Sequence, residues 1–331
     1  MTHAVAPNPG SSDRPSWLRR NKLAVAPWIF LIPALIFFAI YVVIPIFQSL
    51  WLSLYEWNGL YTADGQSTAV WVGFGNYVKL WDDPNFWTSL RNNIAWLILY
   101  MLAVPLGLFI ALFLNQTVPG MRFYKSMFFF PFVISQVVVG LIFGWFYNPD
   151  FGVVGTVWKA IFCEETINIV GNVTYSCSRP APDILSSPEW ATYGIIAAGL
   201  WPQIAYCMIL YLTGLNNVAA DQIEAARLDG AKGWKMLWYV VVPQLKPATF
   251  IAIVVTVIGA LRSFDMIAIM TQGGPFGSTN VLSHYMYEVA ISEYGERYGY
   301  GSSVATVLFG IMLIFISYFL WQMYQDEKGL R

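Results

Sequence analysis

The chain has 331 residues, 57% hydrophobic and only 11% charged, with a mean hydropathy of +0.54 and a formal net charge of −1. An ordinary soluble domain carries roughly 25% charged residues, so this composition excludes that class; the near-neutral charge excludes a nucleic-acid binder, which needs a basic footprint. Three cysteines are too few for a disulfide-built scaffold, and no CxxC or Cys/His cluster has the spacing of a metal site.

Residues 1–22 are rich in Pro, Ser and Gly and are basic. They read as a disordered tail, followed by one membrane domain over 23–331. A bilayer crossing needs about 20 mostly apolar residues. Six segments meet this, at roughly 24–55, 92–115, 124–147, 191–215, 247–271 and 302–324. The first has no charge between Lys22 and Glu56, so part of it should tilt or project. Pro33 and Pro45 lie inside it and predict kinks. It is too long for a signal-peptide core and lacks a convincing cleavage site, which predicts a retained helix.

Lys and Arg orient the spans. With the N-terminus inside, the cytoplasmic pieces hold twelve of them and the outer pieces five, while Arg262 is intramembrane. Both termini and 216–246 are then cytoplasmic, and the connections 56–90, 149–190 and 272–301 face out. The first outer connection carries Trp57, Trp71, Phe74, Tyr77, Trp81, Phe86 and Trp87. That is either an interfacial aromatic belt or a platform for an external protein. The second carries Cys163 and Cys177, which an oxidising exterior permits to bond, and a glycosylation sequon at Asn172.

Polar groups inside a bilayer are costly and mark candidate sites. Ser135 and Gln136 fall in the third span, Gln203 and Tyr206 just after Pro202 in the fourth, and Arg262, Ser263 and Asp265 in the fifth. A sugar needs hydrogen bonds to its hydroxyls and an aromatic face against its CH surface, and Gln, Tyr and Trp supply both. The structural alternatives are an Arg262–Asp265 pair on one helix face, interhelical bonds from Gln136 and Gln203, and packing of Tyr206. Cys207 reads as an inert buried thiol. The 216–247 connection predicts two short helices. Asp221 caps the first with Glu224 as its reciprocal partner, Gly230 forms the hinge, and the second runs over 232–241 and stops before Pro243. Trp234, Leu237, Trp238 and Val241 make one apolar stripe on it. Gly273-Gly274-Pro275 ends the fifth span, and 280–294 predicts an interfacial helix.

Two stretches carry a resemblance. Glu224-Ala225-Ala226, Asp229-Gly230-Ala231 and Pro243 with Lys246-Pro247 resemble the EAA loop of binding-protein-dependent ABC importer permeases; Leu237 stands where many members have Phe. Phe264-Asp265, Thr271 to Pro275 and Thr279 resemble the FD…TxGGP…T segment of the carbohydrate branch, which includes the maltose and glycerol-3-phosphate permeases. The resemblance covers about 24–324. It implies an all-α membrane protein of six transmembrane helices, the type I importer permease fold, with a cytoplasmic coupling helix. It also implies a sugar or polyol cargo, a second and different permease, two ATPase subunits, an extracytoplasmic substrate-binding protein, and a place in a bacterial or archaeal cytoplasmic membrane. Coupling to the ATPase would then fall to Glu224, Ala225, Ala226, Asp229, Gly230, Ala231, Trp234, Leu237 and Pro243. The chain has no GxxxxGK[ST] phosphate loop, so ATP would be used by the partner subunits and no cofactor held here. An ion-coupled secondary transporter of a small polar solute is the alternative; Asp265 is its one embedded acid.

Overall fold

The computed structural model describes residues 22–116, 118–167, 173–292 and 296–329, without the side chains of 22–27 and 165–176. Residues 1–21 of the predicted tail and Asn172 of the sequon lie outside them. The chain divides into two compact units, Met1–Trp51 and Leu52–Arg331.

The first unit is one long apolar helix, α1 (Lys22–Phe38) continued by α2 (Ile44–Leu52). It passes Pro33 unbroken, and the two parts join through a π turn, Ala39–Val43, directly before Ile44-Pro45. Proline has no N–H and its ring crowds the carbonyl one turn back. A widened turn relieves that crowding, so the helix is continuous past both prolines.

The second unit opens with a short antiparallel pair, β1 (Tyr55–Glu56) and β2 (Val70–Trp71), and the helix α3 (Gly75–Trp81). The next span, Pro84–Leu114, consists of α4 (Pro84–Tyr100) and α5 (Ala103–Leu114). It starts eight residues before the predicted 92. Asp83 caps it by accepting from Asn85 N–H at 2.9 Å, and Pro84 takes the first turn, where no N–H is needed. The polar turns over 84–91 lie before the predicted span; there Thr88 Oγ1 donates to the Pro84 carbonyl at 3.0 Å and Ser89 Oγ to the Asn85 carbonyl at 2.8 Å, so their hydroxyls are bonded within the helix. Asn92 Nδ2 donates to the carbonyls of Ser278 (2.6 Å) and Asn280 (2.8 Å), and Asn93 Oδ1 accepts from Leu282 N–H at 2.8 Å.

The predicted third span is not straight. It is α6 (Met121–Val133) and α7 (Gln136–Phe146), bent by 97°. Ile134 is extended and Ser135 caps α7, so the chain leaves the helix and starts a new one. After α8 (Val153–Phe162), the strands β3 (Cys163–Ile167) and β4 (Val173–Cys177) form a hairpin closed by a Cys163–Cys177 disulfide. The long α9 (Ala191–Asn216) follows, then α10 (Ala220–Leu228) and α11 (Trp234–Gln244). Here α11 runs through Pro243 instead of stopping before it, again behind a π turn, Leu237–Val241. It bends by 69° into α12 (Lys246–Leu261). A break at 262–264 separates α12 from α13 (Asp265–Met270); α14 (Leu282–Ala290) and α15 (Tyr298–Glu327) complete the chain.

The core is organised on α9. Ala103, Gly107 and Ala111 place one smooth face of α5 against Cys207, Met208 and Tyr211. Small residues let helix backbones approach closely, which is how spans associate where lipid is as apolar as leucine. At the other end, Leu282, Tyr285 and Val289 of α14 are buried against Phe86, Tyr300, Val304 and Leu308. The expected interfacial helix over 280–294 is therefore a shorter, buried one; its apolar stripe faces protein.

Candidate translocation cavity and coupling face

Two interruptions meet at a polar cavity of about 340 Å³. Gln136 begins α7 just past the first break. Arg262, Ser263 and Phe264 form the second break, and Asp265 begins α13. The half-helices beyond the breaks pack on each other: a Cβ on Gly140 of α7 would meet Ile269 Cγ2 of α13 at 3.2 Å. Gln203 of α9 and the aromatic pair Trp96 and Tyr100 of α4 complete the wall. A helix break frees backbone polar groups, which a membrane protein tolerates only where they face protein or a polar cavity.

Of the residues picked out from the sequence, Gln136, Gln203, Arg262 and Asp265 line this one cavity and Tyr206 does not. Tyr206 stacks on Phe132 at 4.9 Å between ring centroids. Arg262 and Asp265 are exposed, and the pairing on one helix face is absent because the break falls between them. Gln203 Nε2 donates to Thr256 Oγ1 of α12 at 2.9 Å, an interhelical bond. Gln136 Oε1 and Trp96 Nε1 are buried without a hydrogen-bond partner among the described residues. Orphaned polar atoms of this kind cost on the order of 1–3 kcal/mol each and are uncommon unless a site uses them. Trp96 and Tyr100 escaped the sequence reading, although their spacing of four on a span was a visible cue. Tyr100 Oη donates to the Gly199 carbonyl at 3.0 Å, in the turn that Pro202 disturbs.

At the opposite end, α10 buries none of its residues and Leu228 is 89% exposed. Ala219, not Asp221, occupies the cap position; its N–H is bound by Gln244 Oε1 at 3.1 Å, which ties the start of the loop to its end. Asp221 sits in the first turn, where its charge still favours the helix N-terminus. The C-terminus closes as a Schellman turn. Ala231 N–H donates to Ala226 O (2.9 Å) and Gly230 N–H to Arg227 O (3.1 Å), with Gly230 at φ +84°. The EAA and DGA residues thus build one exposed, rigidly ended knob. Trp234, Leu237 and Trp238 of α11 turn elsewhere and line a groove with Pro105, Phe109 and Phe113 of α5.

The TQGGP…T segment is an internally tied turn. Thr271 and Thr279 hydroxyls lie 2.8 Å apart, and Thr279 Oγ1 donates to the Gly274 carbonyl at 2.8 Å. Gly273 has φ +82°, and a Cβ there would stand 2.2 Å from Asn280 Oδ1. Beneath this turn, Asp83 accepts from the hydroxyls of Tyr285 and Tyr300 and so joins α4 to α14 and α15. Burial alone would raise the Asp83 carboxyl, but these bonds and the Asn85 and Phe86 amides outweigh it and hold it below its ordinary value. Burial, and then the bond to Asp83, push the Tyr285 hydroxyl far up. No group of metal-ligating side chains occurs among the described residues.

Apolar helices sufficient for up to six crossings, two of them bent, a polar cavity at the breaks and an exposed knob at one end define a membrane transport component. The chain belongs to the family of binding-protein-dependent transport system inner membrane components, whose profile matches residues 103–328. It is 34% identical over 304 residues to a probable ABC transporter permease of Pyrococcus horikoshii, covering 91% of this chain and 96% of that one. Its identity to the lactose transport system permease protein LacF of Rhizobium radiobacter is 30% over 307 residues, covering 91% and 94%. The fold is that of a chain in the crystal structure of a bacterial alginate ABC transporter in complex with alginate pentasaccharide-bound periplasmic protein. The TM-score is 0.74 over 92% of this chain and 95% of that one, at 19% identity. The chain is thus a permease component of an ABC transporter, with the type I importer permease fold.

Proposed function

We propose that this permease forms half of the pathway by which a sugar or related polyol is imported, at the expense of ATP hydrolysed by separate subunits. The observation that carries the reading is the cavity at the two helix breaks. It is lined by amides, an aromatic pair, and Arg262 and Asp265, which form no ion pair among the described residues; these are the groups that serve the hydroxyls and CH faces of a sugar. The lactose permease named above supports the cargo class. In this reading a second permease supplies the facing half and two ATPase subunits receive the α10 knobs. An extracytoplasmic binding protein delivers cargo at the end carrying the TQGGP turn. Both termini lie in the cytoplasm, residues 1–22 are a tail outside the permease domain of 23–331, and this chain holds no nucleotide or other cofactor.

Transport then proceeds by alternating access. Closure of the ATPases moves the knobs; only a contact that differs between two states can shift the equilibrium between them. Glu224 to Ala231 present that contact on a helix fixed at both ends. The test is purification from the native membrane in mild detergent, followed by reconstitution. An ATPase and a second permease should accompany the chain, and sugar uptake should require ATP and the binding protein. Uptake by this chain alone, without ATP, would overturn the reading.

A further inference from the structure

We infer that the groove between α5 and α11 is a binding site for an anionic phospholipid, which seats an acyl chain in the groove and its headgroup on the basic rim. The groove measures about 430 Å³, and every residue lining it except Gln116 is apolar or aromatic. Its α5 wall is the last part of a bilayer-spanning segment, Pro84–Leu114, so it opens into the hydrocarbon. Its α11 wall lies at 69° to the span that follows, which turns α11 toward the membrane plane. Trp234 and Trp238 stack on it with ring centroids 5.7 Å apart and interplanar angle 13°, and remain 70% and 53% exposed. Amphipathic rings of this kind sit at headgroup level.

Charge selects the occupant. The stretches that contain the two walls and continue past them, 103–125 and 230–247, carry Arg122, Lys125, Lys232, Lys235 and Lys246 and no acidic residue; Lys235 is on α11 beside Trp234, and Asp229 lies beyond, on the α10 knob. None of the five forms an ion pair among the described residues. An apolar slot on a bilayer-spanning segment, flanked in sequence by five basic residues outside any ion pair among the described residues, is complementary to an anionic lipid. Basic pockets beside spans are recognised by such headgroups. The inference needs only that the groove lies at a membrane face and is independent of the cargo.

The test uses the full chain in phosphatidylcholine vesicles containing a low fraction of acyl-brominated phosphatidylglycerol, or of equally brominated phosphatidylcholine. Tryptophan quenching is read as the difference between wild type and W234F/W238F. The brominated anionic lipid should quench the Trp234/Trp238 component at several-fold lower mole fraction than the zwitterionic one. K232Q/K235Q should weaken that preference, by roughly fivefold per lysine, and K232R/K235R should keep it. Equal quenching by both lipids in the wild type would overturn the proposal in favour of ordinary bilayer exposure. Absence of quenching of that component would overturn it in favour of a groove covered by protein.

Discussion

Replacing Gly107 by alanine tests how closely α5 and α9 are fitted. An added Cβ would lie 2.5 Å from Cys207 Cβ, 2.8 Å from Met208 N and 3.0 Å from Cys207 C. Carbon contacts are comfortable at about 3.5–4.0 Å, so the helices must part by roughly 1 Å. Two of the three obstacles are backbone, and no rotamer change avoids them. A gap of that size forfeits up to about half of each dispersion contact along the seam, including those of Ala103, Ala111, Met208 and Tyr211. Overpacking usually costs about 1–3 kcal/mol, and this backbone clash belongs at the upper end, about 3 kcal/mol. Cys207 reports on the seam directly, because it is buried and is the one cysteine outside the disulfide. In detergent, its reaction with a fluorogenic maleimide on heating should begin several degrees lower in G107A. The control is G310A, where an added Cβ meets nothing within 4 Å and helix propensity gains up to about 1 kcal/mol. An unchanged midpoint in G107A, or an equal fall in G310A, would refute the reasoning.

Three further outcomes are expected. Asp83 has a folded-state pKa below its ordinary value near 3.8, so its contribution is complete above that value and is lost as pH falls through the folded one. Acid unfolding should therefore be displaced in D83N, which also should be less stable at neutral pH; identical acid midpoints would count against the tie to Tyr285 and Tyr300. In the reconstituted transporter, E224A or G230P should preserve much of the assembly yet separate ATP hydrolysis from uptake, and normal uptake in both would remove α10 from coupling. Q203L leaves Thr256 only its weak contact to Cys207 Sγ at 3.6 Å and removes an amide from the cavity, so uptake should fall at least about tenfold with complex formation retained; a wild-type KM and rate would move the cargo path elsewhere.

Apolar length made the spans legible, and the EAA residues marked the knob before its geometry was known. The cavity was only half legible. Gln136, Gln203, Arg262 and Asp265 stood out because polar side chains are rare in spans, but the breaks that gather them did not. Ile134-Ser135 has no Gly or Pro beside it to signal a 97° turn, and Arg262 to Phe264 read as helix. Conversely, Pro243 announced a helix end that a π turn absorbed. The early start of α4 was hidden because Asn85, Thr88, Ser89 and Arg91 read as an outward loop, whereas the Thr88 and Ser89 hydroxyls bond back to the carbonyls of Pro84 and Asn85 inside the helix. Tyr206 was a polar residue in a span whose ring found an aromatic neighbour.

The first helix has a consequence for how the protein is made. Its apolar window, within Trp28–Leu52, has a mean hydropathy of 2.8. Such a segment partitions from the translocation channel into lipid on its own merits, and the first inserted helix commonly fixes the sense of those that follow. The threading of the chain can therefore be settled before most of the residues that will form the cavity have been synthesised.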